Sequence, residues 1–276
     1  MAPPAPASPR VSNTRFSLLA MMLVASLVAC TAAADGGEGT CGASTSPQQH
    51  LYDITATIRA ELPVWLQETG LGDDHRTMVT SHKKGDKVNA SMLRFNAHTG
   101  THIDAPRHFV TTDPTGIDDI PLDVINGPAL LLEAFGVEAL TAEVLSSLDI
   151  PTTGVSRVLF RTENTRRGLM GQTAFAPNYV GFSTDGAAWL VKHRPEVKAV
   201  GIDYLSIARL VDLGPGHLAL LGAGIVPIEG LVLPEHSTGN GGGGISAGWW
   251  FLHCAPLKLE GSDGAPARAW LTPMMH

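Results

Sequence analysis

The segment HTGTHIDAPRHF, His98 to Phe109, holds three of the chain's 11 histidines and an aspartate. In a chain with only 16% charged residues, that concentration calls for a chemical reason. Alternate residues of an extended chain face opposite sides. Sorted this way, Leu93, Phe95, Ala97, Thr101, Ile103 and Ala105 fall on one side, and Arg94, Asn96, His98, His102, Asp104 and His108 on the other. Gly100 and Pro106 bend such a strand and argue against a helix. The polar side then presents His98, His102 and Asp104 against a backing of apolar residues. Imidazole nitrogens and a carboxylate oxygen held on a stiff backbone are what a divalent metal requires. The plainer alternative is a polar strand face whose histidines bond only to neighbours. A single histidine would suggest it, whereas the spacing HxxxHxD with His108 four residues further on favours a metal.

A metal that does chemistry draws more ligands from elsewhere in the fold. Among the other histidines, His50 stands beside a polar tether, His75 and His82 read as polar-loop residues, and His193 ends a helical pattern. His236 and His276 are peripheral, and His253 sits inside a strand pattern. His217 differs, because it opens HLALLGAGIVPIEGL, a short helix followed by a strand that carries Glu229 in apolar surroundings. A buried glutamate is costly unless it is paired or binds a cation. By pattern alone, a salt bridge from Glu229 to an arginine would serve as well.

The elements that must position these groups are legible from Ala129 onward. ALLLEA (129–134), RVLFRT (157–162), VKAVGID (197–203), IVPIEGL (225–231), WWFLHCAPLKL (249–259) and ARAWL (267–271) read as strands, several too uniformly apolar to have a wet face. TAEVLSSL (141–148) and TDGAAWLVKH (184–193) read as helices between them. The class is mixed α/β: a sheet covered by helices in one globular domain, for which 276 residues at 44% hydrophobic suffice. A net charge of -7 argues against a nucleic-acid surface, which needs clustered Lys and Arg.

The first part of the chain is of another kind. Arg10 and Arg15 precede the apolar run Phe16 to Val28, too short to span a bilayer, and Ala32-Ala33-Ala34 follow. Residues 1–34 read as a secretory signal peptide, with two exits: cleavage near Ala34, or the lipoprotein pattern Leu27-Val28-Ala29-Cys30 with Cys30 lipidated. An uncleaved anchor is the alternative. Residues 35–49 read as a flexible tether, and the mature domain as 50–276. Export to a periplasmic or extracellular space is expected. Only Cys41 and Cys254 follow Cys30, too few for a disulfide scaffold, and Cys254 within WWFLHCAPL is expected to be buried and inert.

HTGTHIDAPRHF resembles the HxGTHxDxPxHF signature of the cyclase family, which includes bacterial kynurenine formamidase and isatin hydrolase. The resemblance runs from about Tyr52 to Leu271 and is nearest to plant cyclase-like proteins, through LYDIT, PVW, INGPALLLE, SRVLFRTENT, VGIDYLS, IEGL, HCAPLKL and DGAPARA. It implies a fold related to the swivelling β/β/α type, a homodimer, and metal ligands at His98, His102, Asp104, His217 and Glu229. It further implies one or two Zn ions, with Mn the alternative, and His108 as the acid/base. Relatives that hydrolyse isatin carry Gln where this chain has Glu229. Trp65 falls where formamidases set an aromatic against the substrate ring; a tryptophan packed near the first strand is the alternative. The implied substrate is a small aryl amide, another cyclic amide, imide or lactone being the alternative. A protein of this kind that binds metal without catalysing is a further reading, and the intact His108 weighs against it.

Three other patterns carry less. Gly244-Ile245-Ser246-Ala247-Gly248 spells GxSxG, but a nucleophile elbow needs a strand before the serine and a helix after it, and WWFL follows instead. Gly239, Gly241 and Gly244 match GxGxxG as any glycine run does, and this Gly-rich insert is unlike the family. Asn89-Ala90-Ser91 is a glycosylation sequon only in a eukaryotic secretory context.

Overall fold

A computed structural model describes residues 50–236 and 244–274, which form one compact unit. The proposed signal peptide, tether, Cys30 and Cys41, most of the Gly-rich insert and His276 lie outside the described residues. No helix among the described residues is long and apolar enough to cross a membrane.

The strands are β1 (Tyr52–Asp53), β2 (Arg76–Thr80), β3 (Ala90–Leu93), β4 (His102–Asp104), β5 (Gly127–Ala134), β6 (Arg157–Thr162), β7 (Ala199–Ile202), β8 (Val226–Glu229), β9 (Gly248–Pro256) and β10 (Gly264–Pro273). The α-helices are α1 (Leu122–Ile125), α2 (Ala142–Ser147), α3 (Glu163–Arg166), α4 (Thr184–His193) and α5 (Leu213–Gly222). Strands β5 to β8 run parallel side by side. β4 adds antiparallel to β8, β10 to β4, and β9 to both β5 and β10, so the sheet closes on itself. This is the mixed α/β class that the apolar runs predict. β6 and α4 match the sequence expectation residue for residue.

One core fills the ring and another covers it. Ile103, Leu131, Leu159, Ile228, Leu252, Ala267 and Ala269, drawn from all round the sheet, pack in its interior. Leu130, Val158, Phe160, Val200 and Ile202 point the other way, against Leu145 of α2, Ala187 and Leu190 of α4 and Leu220 of α5. β6, β7 and β8 are therefore buried on both faces, which is why they read as unbroken apolar runs. β9 alternates instead: Trp250, Leu252 and Cys254 are buried while Trp249, Phe251 and Ala255 are exposed. Burial pushes the Cys254 thiol up to about 12, as expected of an inert core cysteine.

Local signals explain the helix starts. Ser183 and Thr141 cap α4 and α2 by accepting the backbone N–H groups of Gly186 and Val144. The RTENT and VGIDYLS segments have a joint purpose at the end of β7. Buried Asp203 accepts from the backbone N–H and hydroxyl of Thr162 (2.7 and 2.8 Å), from those of Thr165 (3.0 and 2.7 Å) and from the Asn164 amide (3.3 Å). Burial alone raises this carboxyl, and the donors make its charge tolerable. The fully buried Arg161 reaches across the sheet's end to the carbonyls of Pro234 (3.2 Å) and Ile245 (2.5 Å), pinning the two sides of the Gly-rich connection. Gly244 to Gly248 leads from that connection into β9 with no helix after Ser246, so no nucleophile elbow forms.

The sequence expectation fails in three places. The long alternating strand from Leu93 to His108 is only three residues of strand, β4, and Leu93, Phe95 and Ala97 are not core. Leu93 belongs to the exposed hairpin β2–β3, and the chain then turns before Thr101. His217 does not open its helix but lies in the second turn of α5. Gly214-Pro215-Gly216 looks like a breaker, yet Pro is tolerated in a first turn, where its missing N–H has no partner to lose. His75 and His82, read as loop residues, lie in short 3-10 turns at either end of β2.

Candidate metal centre

β4 lies between β8 and β10, with His102 opposite Glu229 and Asp104 opposite Gly264. Ile103 and Ile228 turn into the ring's interior, so His102, Asp104 and Glu229 share the opposite face, toward α5. His217 of α5 closes that face from above, its Nε2 lying 3.2 Å from Glu229 Oε1 and 3.6 Å from Asp104 Oδ2. His98 enters from the turn before β4, Nδ1 2.8 Å from Asp104 Oδ1. His102 Nε2 sits 3.1 Å from Glu229 Oε2 and 3.5 Å from Asp104 Oδ1. All five residues expected as ligands thus meet, from a turn, two strands and a helix. All but His98 are nearly or fully buried.

The donor set fits a divalent cation. His102 Nδ1 donates to the Gly100 carbonyl (2.9 Å) and His217 Nδ1 to the Leu213 carbonyl (2.7 Å). Those bonds fix the tautomer and leave each Nε2 lone pair facing the two carboxylates. His102 Nε2 and Asp104 Oδ2 are buried with no hydrogen-bond partner among the described residues, a cost that a cation held between them would offset. His102, Asp104 and Glu229 each offer a ligand atom within 4.8 Å of the others, as do His98, Asp104 and His108. Asp104 belongs to both sets. Two buried carboxylates this close repel each other, as the upward pull of Asp104 on Glu229 records. In the metal-free protein the imidazoles share that negative charge. Burial pulls His102 down, but the adjacent carboxylates of Asp104 and Glu229 outweigh this and push it up to about 10. His217 is raised likewise, burial opposing and Glu229 prevailing. Asp104 is held well below the ordinary carboxylate range, its burial outweighed by His102 and His98.

His108 ends the 3-10 turn Pro106–His108 that follows β4. Its ring stacks on His98 with centroids 4.0 Å apart, and burial holds its pKa below the ordinary histidine value. A cavity of about 420 Å³ opens over the cluster, lined among others by Trp65, Phe109, Leu205, His108 and Glu229. Trp65 forms its wall, braced edge-on by Phe175 (4.8 Å) and Tyr179 (6.2 Å). The next residue, Leu66, has φ 56°, a left-handed conformation costly for a branched side chain, and it turns the chain away directly after the tryptophan.

Sequence reasoning missed one neighbour of the cluster. Asp263 Oδ2 lies 3.0 Å from His98 Nε2 and 3.3 Å from His108 Nδ1. It is the aspartate of DGAPARA, recognised only as a family likeness because nothing in its spacing ties it to residues some 160 positions earlier. Burial raises its carboxyl, but the bond and charge of His98 outweigh that and hold it below the ordinary value.

Comparison with known proteins agrees with this geometry. The cyclase family model, described as "Putative cyclase", matches residues 52–209. Cyclase-like protein 1 of Arabidopsis thaliana is 40% identical over 225 residues, covering 80% of this chain and 84% of that protein. A kynurenine formamidase of Salinibacter ruber is 33% identical over 227 residues, covering 80% and 96%. A solved structure described as a predicted metal-dependent hydrolase from Bacillus stearothermophilus superposes with a TM-score of 0.65 at 33% identity, covering 82% of this chain and 99% of that one. With its signature histidines and carboxylates gathered in one buried cluster on the shared fold, the chain belongs to the cyclase family.

Proposed function

We propose that the protein is a metal-dependent hydrolase of amide bonds, acting on small aryl formamides such as N-formylkynurenine to give the arylamine and formate. The observation that carries the reading is the meeting of His98 with the buried His102, Asp104, His217 and Glu229, beside the partly exposed His108, under a cavity with an aromatic wall. We assign those five as the ligands of one or two divalent ions, zinc first and manganese second, both suited to imidazole and carboxylate donors. Such an ion supplies two things when bound: water acidified to a pKa of about 7 and a polarised carbonyl.

The chain's own groups do the rest. His108, held below its ordinary pKa by burial, is a free base at neutral pH, able to take a proton from attacking water and return it to the leaving nitrogen. Trp65 and Phe109 present flat apolar faces to the substrate ring, and the cavity volume suits a one- or two-ring molecule.

A second reading has its own support. The chain is more similar to plant cyclase-like proteins (40%) than to a kynurenine formamidase (33%), so the bond cleaved could belong to another cyclic amide, imide or lactone. Glu229, a carboxylate and not the Gln of isatin-hydrolysing relatives, favours the formamidase reading. A steady-state panel of aryl formamides, isatin-type imides and lactones on the zinc- and manganese-loaded protein decides between them. The formamidase reading expects the highest kcat/KM for aryl formamides, and a higher value for imides or lactones rejects it. Export and assembly as a homodimer complete the proposal, supported by the 1–34 segment and by the family likeness.

A further inference from the structure

The geometry points to Asp263 as a positioning residue that orients two histidines of this site at once: His98 for metal binding and His108 for proton transfer. The inference rests on the hydrolase reading above. His98 turns Nδ1 toward Asp104 and Nε2 toward the Asp263 carboxylate, 2.8 and 3.0 Å away. A ligating imidazole whose other N–H is donated to a carboxylate is held in one tautomer and one ring orientation. Here that carboxylate is Asp263, and the nitrogen it leaves free is the one facing the cluster.

The same oxygen, Oδ2, lies 3.3 Å from His108 Nδ1. A carboxylate beside Nδ1 favours the proton on that nitrogen, which leaves Nε2 of His108 to accept and return one. The stacked rings of His98 and His108, 4.0 Å apart, bring both within reach of one carboxylate.

The backbone around Asp263 is fitted to this role. Gly264 pairs with Asp104 across the β10–β4 ladder, which sets Asp263 in register with the ligand strand. A Cβ on Gly264 would lie 2.7 Å from His98 Cε1, so only glycine lets the ring lie against the strand beside the aspartate. The Asp263 carbonyl accepts from the Ala105 N–H (2.9 Å), and the Ser262 carbonyl from the Ile117 N–H (2.9 Å). The carboxylate is thereby carried on a turn stitched to Ala105, within the HIDAPRH segment, and to Ile117 beyond it. Asp263 touches no expected ligand atom of His102, His217 or Glu229 among the described contacts, so its influence passes through the two histidines.

The test is Asp263→Asn, which keeps size and removes the charge, with Asp263→Glu as the conservative companion. Zinc dissociation constants from chelator competition give a readout independent of turnover. The Asn variant is expected to bind zinc about 10–100-fold more weakly. At saturating zinc its kcat should fall at least about tenfold with KM little changed, and Asp263→Glu should recover part of both losses. In the double variant with His108→Ala, Asp263→Asn should add no further loss of kcat, as expected of groups acting through one another. An Asn variant within about twofold of wild type in both zinc affinity and kcat overturns the inference. Weakened zinc with unchanged kcat at saturation overturns its His108 half. If wild-type protein itself binds no metal, the hydrolase reading fails instead, and the two failures are told apart by the parent protein alone.

Discussion

At the scale of single residues, the proposed function gives holding a cation and moving a proton to different side chains. In the proposed function His108 serves the proton: it lies at the cavity rim, partly exposed, while the proposed ligands lie beneath it. His108→Ala should therefore lower kcat by at least about 100-fold while bound metal stays near the wild-type content, measured by elemental analysis beside steady-state kinetics. A variant that keeps full activity would remove the assignment. The ligands predict a different response, visible in metal-free protein. His102 has a folded-state pKa of about 10, above the ordinary 6.5, so its stabilisation is fully present below 6.5 and is lost as pH rises through about 10. Zinc needs that nitrogen deprotonated. Zinc uptake at pH 7 should release at least one proton, read from how the binding enthalpy varies among buffers of different ionisation heat. The thermal midpoint of the chelated protein should fall between pH 7 and 10. Uptake without proton release would contradict the arrangement of His102 between two carboxylates.

At the scale of elements, the centre depends on register, since a slip of one residue in β4 would bury Ile103 at the site and turn His102 away. Two hydrogen bonds and a glycine fix it. Thr101 accepts from the Ala56 N–H (2.8 Å) and donates to the Gly230 carbonyl (2.6 Å), and Gly230 itself, φ 66°, ends β8 directly after Glu229. A Cβ at Gly230 would stand 2.2 Å from the Gly100 carbonyl oxygen. Gly230→Ala should cost at least about 1 kcal/mol of stability and loosen the metal, because the clash pushes apart the turn bearing His98 and the strand bearing Glu229. Chemical denaturation and zinc competition measure both effects; an unchanged variant would show that the two turns are not coupled. This is also where sequence reading met its limit. β6 to β8 were legible because burial on both faces writes an unbroken apolar run, and His102 with Asp104 because alternation survives even in three residues. The approach of His98 and His108 was not, since each is delivered by a turn whose direction depends on packing against β10 and α5. The hairpin β2–β3 carries exposed Val79, Val88 and Met92, with no apolar alternation to announce a strand.

At the scale of the whole molecule, the site is a product of closure. Its donors come from positions as far apart as His98 and Glu229, and Asp263 arrives later still, so the ring formed by β10 joining β4 to β9 is what brings them together. The five proposed ligand positions were expected from one dense segment, one isolated His–Glu pair and the family resemblance, whereas Asp263 required knowing which strand lies beside β4. A preformed cluster of this kind, with two buried carboxylates and neutral-capable imidazoles, would gain stability from a bound cation. The most direct test is metal content and hydrolysis measured on the same purified preparation before and after chelation. The account predicts one or two zinc or manganese ions per chain, turnover of an aryl amide lost on their removal, and recovery on adding the metal back. Protein that carries no stoichiometric divalent ion, or that hydrolyses equally well after chelation, would contradict it.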